Sequence, residues 1–198
     1  MSRAADAADA MALLTALRLL SRPAWIHALR RASLPSGVTL LLEVVGGDDA
    51  SMTRATRLTG CPPDVLAEAA AFFVEEILFC EKSDCYRVLG GSPSTSSAVL
   101  RRHVALLMRW LHPDANAHLG AGRIDRSVFT TKVTTAWQAL KTPERRASYD
   151  AGLRTGRPVT HAEDRQTISS RSRARLRLRP LANDDALTRL LLFFWGKG

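Results

Sequence analysis

Three consecutive residues, His112, Pro113 and Asp114, bring a titratable ring, a backbone lock and a carboxylate to one point of the chain. Two kinds of chemistry are open to them. The proline can simply stop a helix while Asp114 caps a local turn. Alternatively, the corner is displayed, and its ring and acid make hydrogen bonds and ion pairs with a partner. Other chemistry-bearing residues do not gather. His27, His103, His118 and His161 follow no metal-ligand spacing and are assigned no chemistry, so no metal or cofactor is expected. Cys61, Cys80 and Cys85 are odd in number and contain no CxxC pair, which excludes a four-cysteine zinc repeat and argues against a disulfide framework. Idle thiols in a reducing cytoplasm fit best.

The elements that must position the tripeptide follow from periodicity. Leu100, Val104, Leu107 and Leu111 recur at i, i+4, i+7 and i+11, one stripe of a helix. Arg102 and Arg109 are expected nearly opposite that stripe, with Arg101 between the two faces. Any of Ser94, Thr95, Ser96 and Ser97 can cap its start, and Pro113 ends it. Beyond a polar loop, Phe129, Val133, Ala136, Trp137 and Leu140 repeat the spacing. Two such stripes joined by a loop predict an antiparallel helical hairpin. Its first rod would be about 24 Å long at 1.5 Å per residue, with the tripeptide at the tip.

The surroundings of the tripeptide carry a resemblance. Tyr86-Arg87-Val88-Leu89-Gly90 lies upstream, with Gly90-Gly91-Ser92-Pro93 as the turn after it. Ala136-Trp137-Gln138-Ala139-Leu140 and Glu144-Arg145-Arg146-Ala147-Ser148-Tyr149-Asp150 lie downstream. In this order and spacing the segments resemble the J-domain of DnaJ-type co-chaperones, over about residues 83–153. The resemblance implies an all-α fold, a helical hairpin with flanking short helices. It also implies that the chain binds a DnaK-type ATPase chaperone and stimulates its ATP hydrolysis, so aiding folding or delivery of a client protein. The chain itself would not be an enzyme, because the bond breaks in the partner. By the same resemblance Asp114 would pair with a chaperone arginine, Pro113 would supply the rigid bend, and His112 would hold the loop. Arg101, Arg102 and Arg109 would form a positive steering face, and Asn116 falls where the family often has asparagine. The family's second helix carries a tyrosine and further basic residues where this chain has Val104-Ala105-Leu106. Phe129 is also one position out of register, and the loop contains Gly120-Ala121-Gly122. A J-like interaction module without ATPase stimulation is therefore the alternative.

At 198 residues and 46% hydrophobic, the chain has the composition of an ordinary globular protein. Its longest apolar runs fall far short of the ~20 residues that a membrane-spanning helix needs. The first segment is a poor signal peptide, since Asp6, Asp9 and Arg18 interrupt it. Residues 1–80 read as a separate helical domain with a client or localisation role. Within it the apolar run Val38–Val45 is expected as buried helix; a strand is the alternative, but nothing nearby in sequence offers it a partner.

Segments 51–58 and 64–79 flank Thr59-Gly60-Cys61-Pro62-Pro63 and superficially form a helix-turn-helix. The second segment carries Asp64, Glu68, Glu75 and Glu76 and no arginine, so phosphates would repel it. Val65, Ala69, Phe72, Phe73 and Ile77 instead form a core stripe. Of the net charge of +9, a segment from Arg154 to Pro180 contributes +6, with eight arginines against Glu163 and Asp164. Residues 154–182 read as a basic linker. A third reading, a nucleic-acid-associated protein, would use this segment. Residues 183–198 read as a C-terminal amphipathic helix that docks onto the N-terminal helices or lies on a partner or membrane surface.

Overall fold

The computed structural model describes residues 2–112 and 126–155, and among them every regular element is helical. Helix α1 (Ser2–Ser21) leads through a 3₁₀ turn, Pro23–Trp25, into α2 (Ile26–Arg31). Next come α3 (Val38–Val45), α4 (Asp49–Thr59) and α5 (Pro63–Phe73), which runs into a π-helical turn at Val74–Leu78. The short α6 (Cys85–Val88), α7 (Ser97–Leu111), α8 (Arg126–Leu140) and α9 (Pro143–Thr155) complete the described chain. The expected linker beyond Thr155 and the helix expected at 183–198 lie outside the described residues, as do Pro113, Asp114 and Asn116.

Local chemistry places the boundaries. Asp48 caps α4 by accepting from the Ser51 amide at 2.9 Å, Asp84 caps α6 through the Arg87 amide at 2.8 Å, and Ser96 caps α7 through the Val99 amide. Gly60, in the left-handed conformation, closes α4, and Pro63 opens α5. Val38–Val45 is helix, buried through Val38, Leu40, Leu41, Leu42 and Val44. The apolar run is a helix because it sits in the middle of the N-terminal layer, packed by α1, α4, α5 and α7 at once. Helix α5 turns Leu66, Ala69, Ala70 and Phe73 into the same core. Val65 and Phe72, expected on that stripe, are only half-buried, so the buried face is rotated by about one residue.

Helix α8 packs against α6, α7 and α9. The rings of Trp110, near the end of α7, and Phe129, near the start of α8, both meet Phe79, at 6.3 and 4.8 Å between centroids. At the opposite end Arg146, just past α8, donates to the carbonyls of Pro93 and Thr95, just ahead of α7, at 2.7 and 2.8 Å. The two rods therefore lie side by side and antiparallel, as their stripes predict.

Two groups tie the residues after 80 to the helices before them. Arg87 donates to the carbonyls of Leu29 (2.6 Å) and Ala32 (2.8 Å) at the end of α2, and to that of Ile77 (3.1 Å) in the π turn. Lys132 of α8 donates to the Phe79 carbonyl at 2.7 Å. These carbonyls are orphans of helix ends, which need a donor wherever water is excluded. Burial pulls the pKa values of both cations down from their ordinary values.

Gly37 marks the tightest backbone approach. It enters α3 with φ +82, and a Cβ built there would fall 2.2 Å from the Asp9 carbonyl oxygen of α1. Left-handed backbone costs a non-glycine residue about 1–2 kcal/mol, and overpacking adds about 1–3. Gly37→Ala should thus lower stability by about 2–5 kcal/mol, read as a shifted denaturant midpoint at unchanged slope. A wild-type midpoint would show that α1 can move off Gly37 freely.

Candidate functional site

Helix α7 carries most of the candidate residues, and its rotation decides what each can do. The buried residues are Leu100, His103, Leu107, Trp110 and Leu111. His103 and Trp110 therefore share the inward face with the expected aliphatic stripe, and Val104 is only half-buried. At about 100° per residue, Arg101, Ala105, Met108 and His112 stand opposite His103. All four are exposed. Arg102 and Arg109 are also exposed, on one flank of that outward face.

That flank meets the corner between α3 and α4. Arg102 pairs with Glu43 at 2.6 Å, and Arg109 donates to the Gly47 carbonyl at 3.4 Å. Glu43 in turn accepts from the Ser51 hydroxyl at 2.7 Å. Hydrogen bonds from Ser51, with Arg109 and Arg102 nearby, hold the Asp48 carboxyl below the usual carboxylate range. Two of the three arginines expected to steer a partner are therefore engaged within the chain. Arg101 makes no ion pair with a described residue.

His112 is the C-cap of α7, exposed, with extended backbone at φ -64 and ψ 135. That conformation is what a following proline imposes. Its amide donates to the Arg109 carbonyl at 3.3 Å. The expected site residues Pro113, Asp114 and Asn116 lie outside the described residues.

The segments flanking the tripeptide in sequence meet in space. The Tyr86 hydroxyl donates to Asp150 Oδ1 at 2.7 Å and accepts from Arg146 Nε at 2.9 Å. Tyr149 accepts from the Cys85 amide at 2.8 Å, and its ring stands edge-on to Tyr86 at 5.8 Å. The guanidinium of Arg146 also lies 5.1 Å from the Tyr86 ring centre. Burial, then the bond to Asp150, pushes the Tyr86 hydroxyl up to about 12. Burial likewise raises the Tyr149 hydroxyl.

No activated nucleophile emerges from the cysteines that show a shift. Burial pushes the Cys61 and Cys85 thiols up, away from the reactive thiolate. Among the described residues no three of His, Cys, Asp and Glu could hold a metal ion, and no helix is long and apolar enough to cross a membrane.

His103, given no chemistry from sequence, is the structural centre of this face. Its ring is 2% exposed, with Nδ1 2.9 Å from the Leu89 carbonyl and Nε2 2.8 Å from the Thr39 hydroxyl. A carbonyl can only accept, so Nδ1 carries the proton and Nε2 accepts from Thr39. One signal was present in the sequence: His103 stands at i+3 from Leu100 and i−4 from Leu107. Arg146 and Arg87 left no periodic trace, because their partners, backbone carbonyls and for Arg146 also the Tyr86 side chain, lie outside their own helices.

No protein-family model matches this chain, and no solved structure matches it.

Burial holds the His103 pKa below its ordinary value. The unfolded ring, near 6.5, therefore takes up a proton before the folded one does. The stability it contributes is full above about pH 6.5 and is lost as pH falls toward the lower folded value. Thermal unfolding of the wild type should weaken from about pH 7.5 to about 5.5 more steeply than that of His103→Gln. Parallel profiles would show that this ring is not the group titrating.

Proposed function

We propose that this chain is a J-domain-type co-chaperone that binds a DnaK-type ATPase chaperone and stimulates its ATP hydrolysis. The observation that carries the reading is the meeting of Tyr86 and the Gly90–Thr95 turn with Arg146, Tyr149 and Asp150. Those residues lie on either side of the tripeptide in sequence, and their contacts close the far end of the α7–α8 pair. The end of α7 that bears His112 lies opposite the braced end, and Arg101, Ala105, Met108 and His112 form an exposed row along the helix. A partner reaching that row meets a cation at Arg101, the Met108 side chain and the ring of His112. Asp114 would supply the ion pair and Pro113 the bend, with Asn116 beside them. The chain holds the partner in place and does no bond chemistry itself.

One observation favours the second reading, a J-like module that binds without stimulating. Arg102 and Arg109 are drawn to Glu43 and Gly47, and the middle of α7 offers Val104-Ala105-Leu106 in place of further cations. Both features thin the positive face that would speed encounter with an acidic surface. An unknown client protein and a cytoplasmic location go with this reading, and a nucleic-acid-associated role for the arginine-rich sequence 154–180 is an alternative to it.

Single-turnover ATP hydrolysis by a DnaK-type chaperone separates these readings. The wild type should accelerate it, and His112→Gln should remove at least about tenfold of that acceleration, the scale of one lost hot-spot contact. The variant should keep the wild-type melting temperature, since His112 caps a helix end in solvent. Binding without acceleration would establish the second reading, and equal acceleration by wild type and variant would end the first.

A further inference from the structure

The back of α1 presents a ridge that the proposed function does not use. Among the described residues six large apolar side chains stand exposed, and three of them lie within the first 25 positions: Met11 at 48%, Leu14 at 45% and Trp25 at 43%. Met11, Leu14 and Arg18 recur at i, i+3 and i+7, the spacing of one helix face, and Arg22 follows just past the end of α1. The Arg18 guanidinium lies 5.4 Å from the centre of the Trp25 ring, which brings that indole onto the same row. Arg18 and Arg22 are both exposed, as is Arg31 at the end of α2.

The acids of α1 are turned elsewhere. Asp6 and Asp9 pair with Arg54 at 3.0 and 2.6 Å, on the flank that faces α4. Glu76, on the π turn, is taken up by Arg30 at 2.6 Å. The ridge thus combines apolar side chains and arginines with no carboxylate of its own helix. From Met11 to Trp25 it would extend about 21 Å if helical rise held throughout.

We propose that this ridge rests on an anionic lipid surface, with Met11, Leu14 and Trp25 entering the headgroup boundary and Arg18 and Arg22 pairing with phosphates. A convex row of separated side chains suits lipid, whose headgroups part around each one. A protein partner would need a matching groove to exclude water from all three. Tryptophan and arginine also suit the interface chemically. The indole sits at headgroup level, and the arginine stem lies along apolar matter while its head stays wet.

The test uses the full chain and sedimentation with vesicles of phosphatidylcholine alone or of phosphatidylcholine with phosphatidylglycerol. The wild type should bind the anionic vesicles. Replacing Met11, Leu14 and Trp25 together by Gln should weaken binding about tenfold or more. The arginines after α9 can attract the same vesicles, so a local readout is added. Lipids brominated in the acyl chain should quench wild-type fluorescence, and most of that quenching should vanish in Trp25→Phe, which keeps the ridge apolar. Undiminished binding by the triple variant would overturn the proposal, as would equal quenching in Trp25→Phe. Failure of the wild type to bind would also overturn it and point to an acidic protein surface. If the triple variant melts early, the quenching comparison decides.

Discussion

A neutral imidazole sets the geometry of the candidate face. His103 is the point where α7, the start of α3 and the turn after α6 meet, and its buried ring satisfies a donor and an acceptor there. Leaving either bond unmade would cost about 1–3 kcal/mol, so the ring admits essentially one rotation of α7. The turn can come close because Gly90 lacks a side chain. A Cβ there would sit 2.8 Å from Val38 and 3.5 Å from the imidazole. Once that rotation is fixed, everything else on α7 follows. Arg102, Leu106 and Arg109 fall toward the α3–α4 corner, where Leu106 closes on Gly46 and Arg102 finds Glu43. The aliphatic row goes to α8, and Arg101, Ala105, Met108 and His112 are left outward.

The ionic contacts around this face rank below the buried polar ones. The Arg102 side chain is 64% exposed, so its pair with Glu43 is screened and is worth at most about 1 kcal/mol. It sets where the arginine points more than how stable the helix is. Arg87 works differently. Its three bonds end on carbonyls of two separate segments, those of Leu29 and Ile77 being part-buried and that of Ala32 exposed, so it joins those segments more than it rescues buried acceptors. The helices before residue 80 and those after it therefore share polar groups as well as apolar ones. The described helices cluster as one unit for that reason.

Much of this was legible in the chain. The ends of α7, the helical state of Val38–Val45 and the Val133, Ala136 and Leu140 part of the α8 stripe follow from caps, proline and apolar spacing, whereas Phe129 and Trp137 are only half-buried and Ala139 joins the core. The tilt of the buried face was less legible. A stripe of Leu100, Val104, Leu107 and Leu111 assumes a single neighbour, whereas α7 has two, α3 and α8, so His103 and Trp110 join the core and Val104 moves toward its edge. Arginine bonds to distant carbonyls leave no local signature at all. The tripeptide was the plainest sequence feature, yet of its three members only His112 is among the described residues.

The weight of the functional reading accordingly rests less on the tripeptide than on what closes the hairpin's far end. A His-Pro-Asp run alone needs only a helix stop and a turn, which many chains supply. Requiring that Tyr86 meet both Arg146 and Asp150, and that Tyr149 meet the Cys85 amide, links residues some sixty positions apart through bonds of fixed direction. Neither periodicity nor composition demands those partners, and a generic helical pair would be as well packed without them. What they supply is a braced base that ties the start of α7 and the end of α8 together. A hairpin braced in that way loses less entropy on docking than a hinged one, which is the physical advantage a binding corner would draw from them.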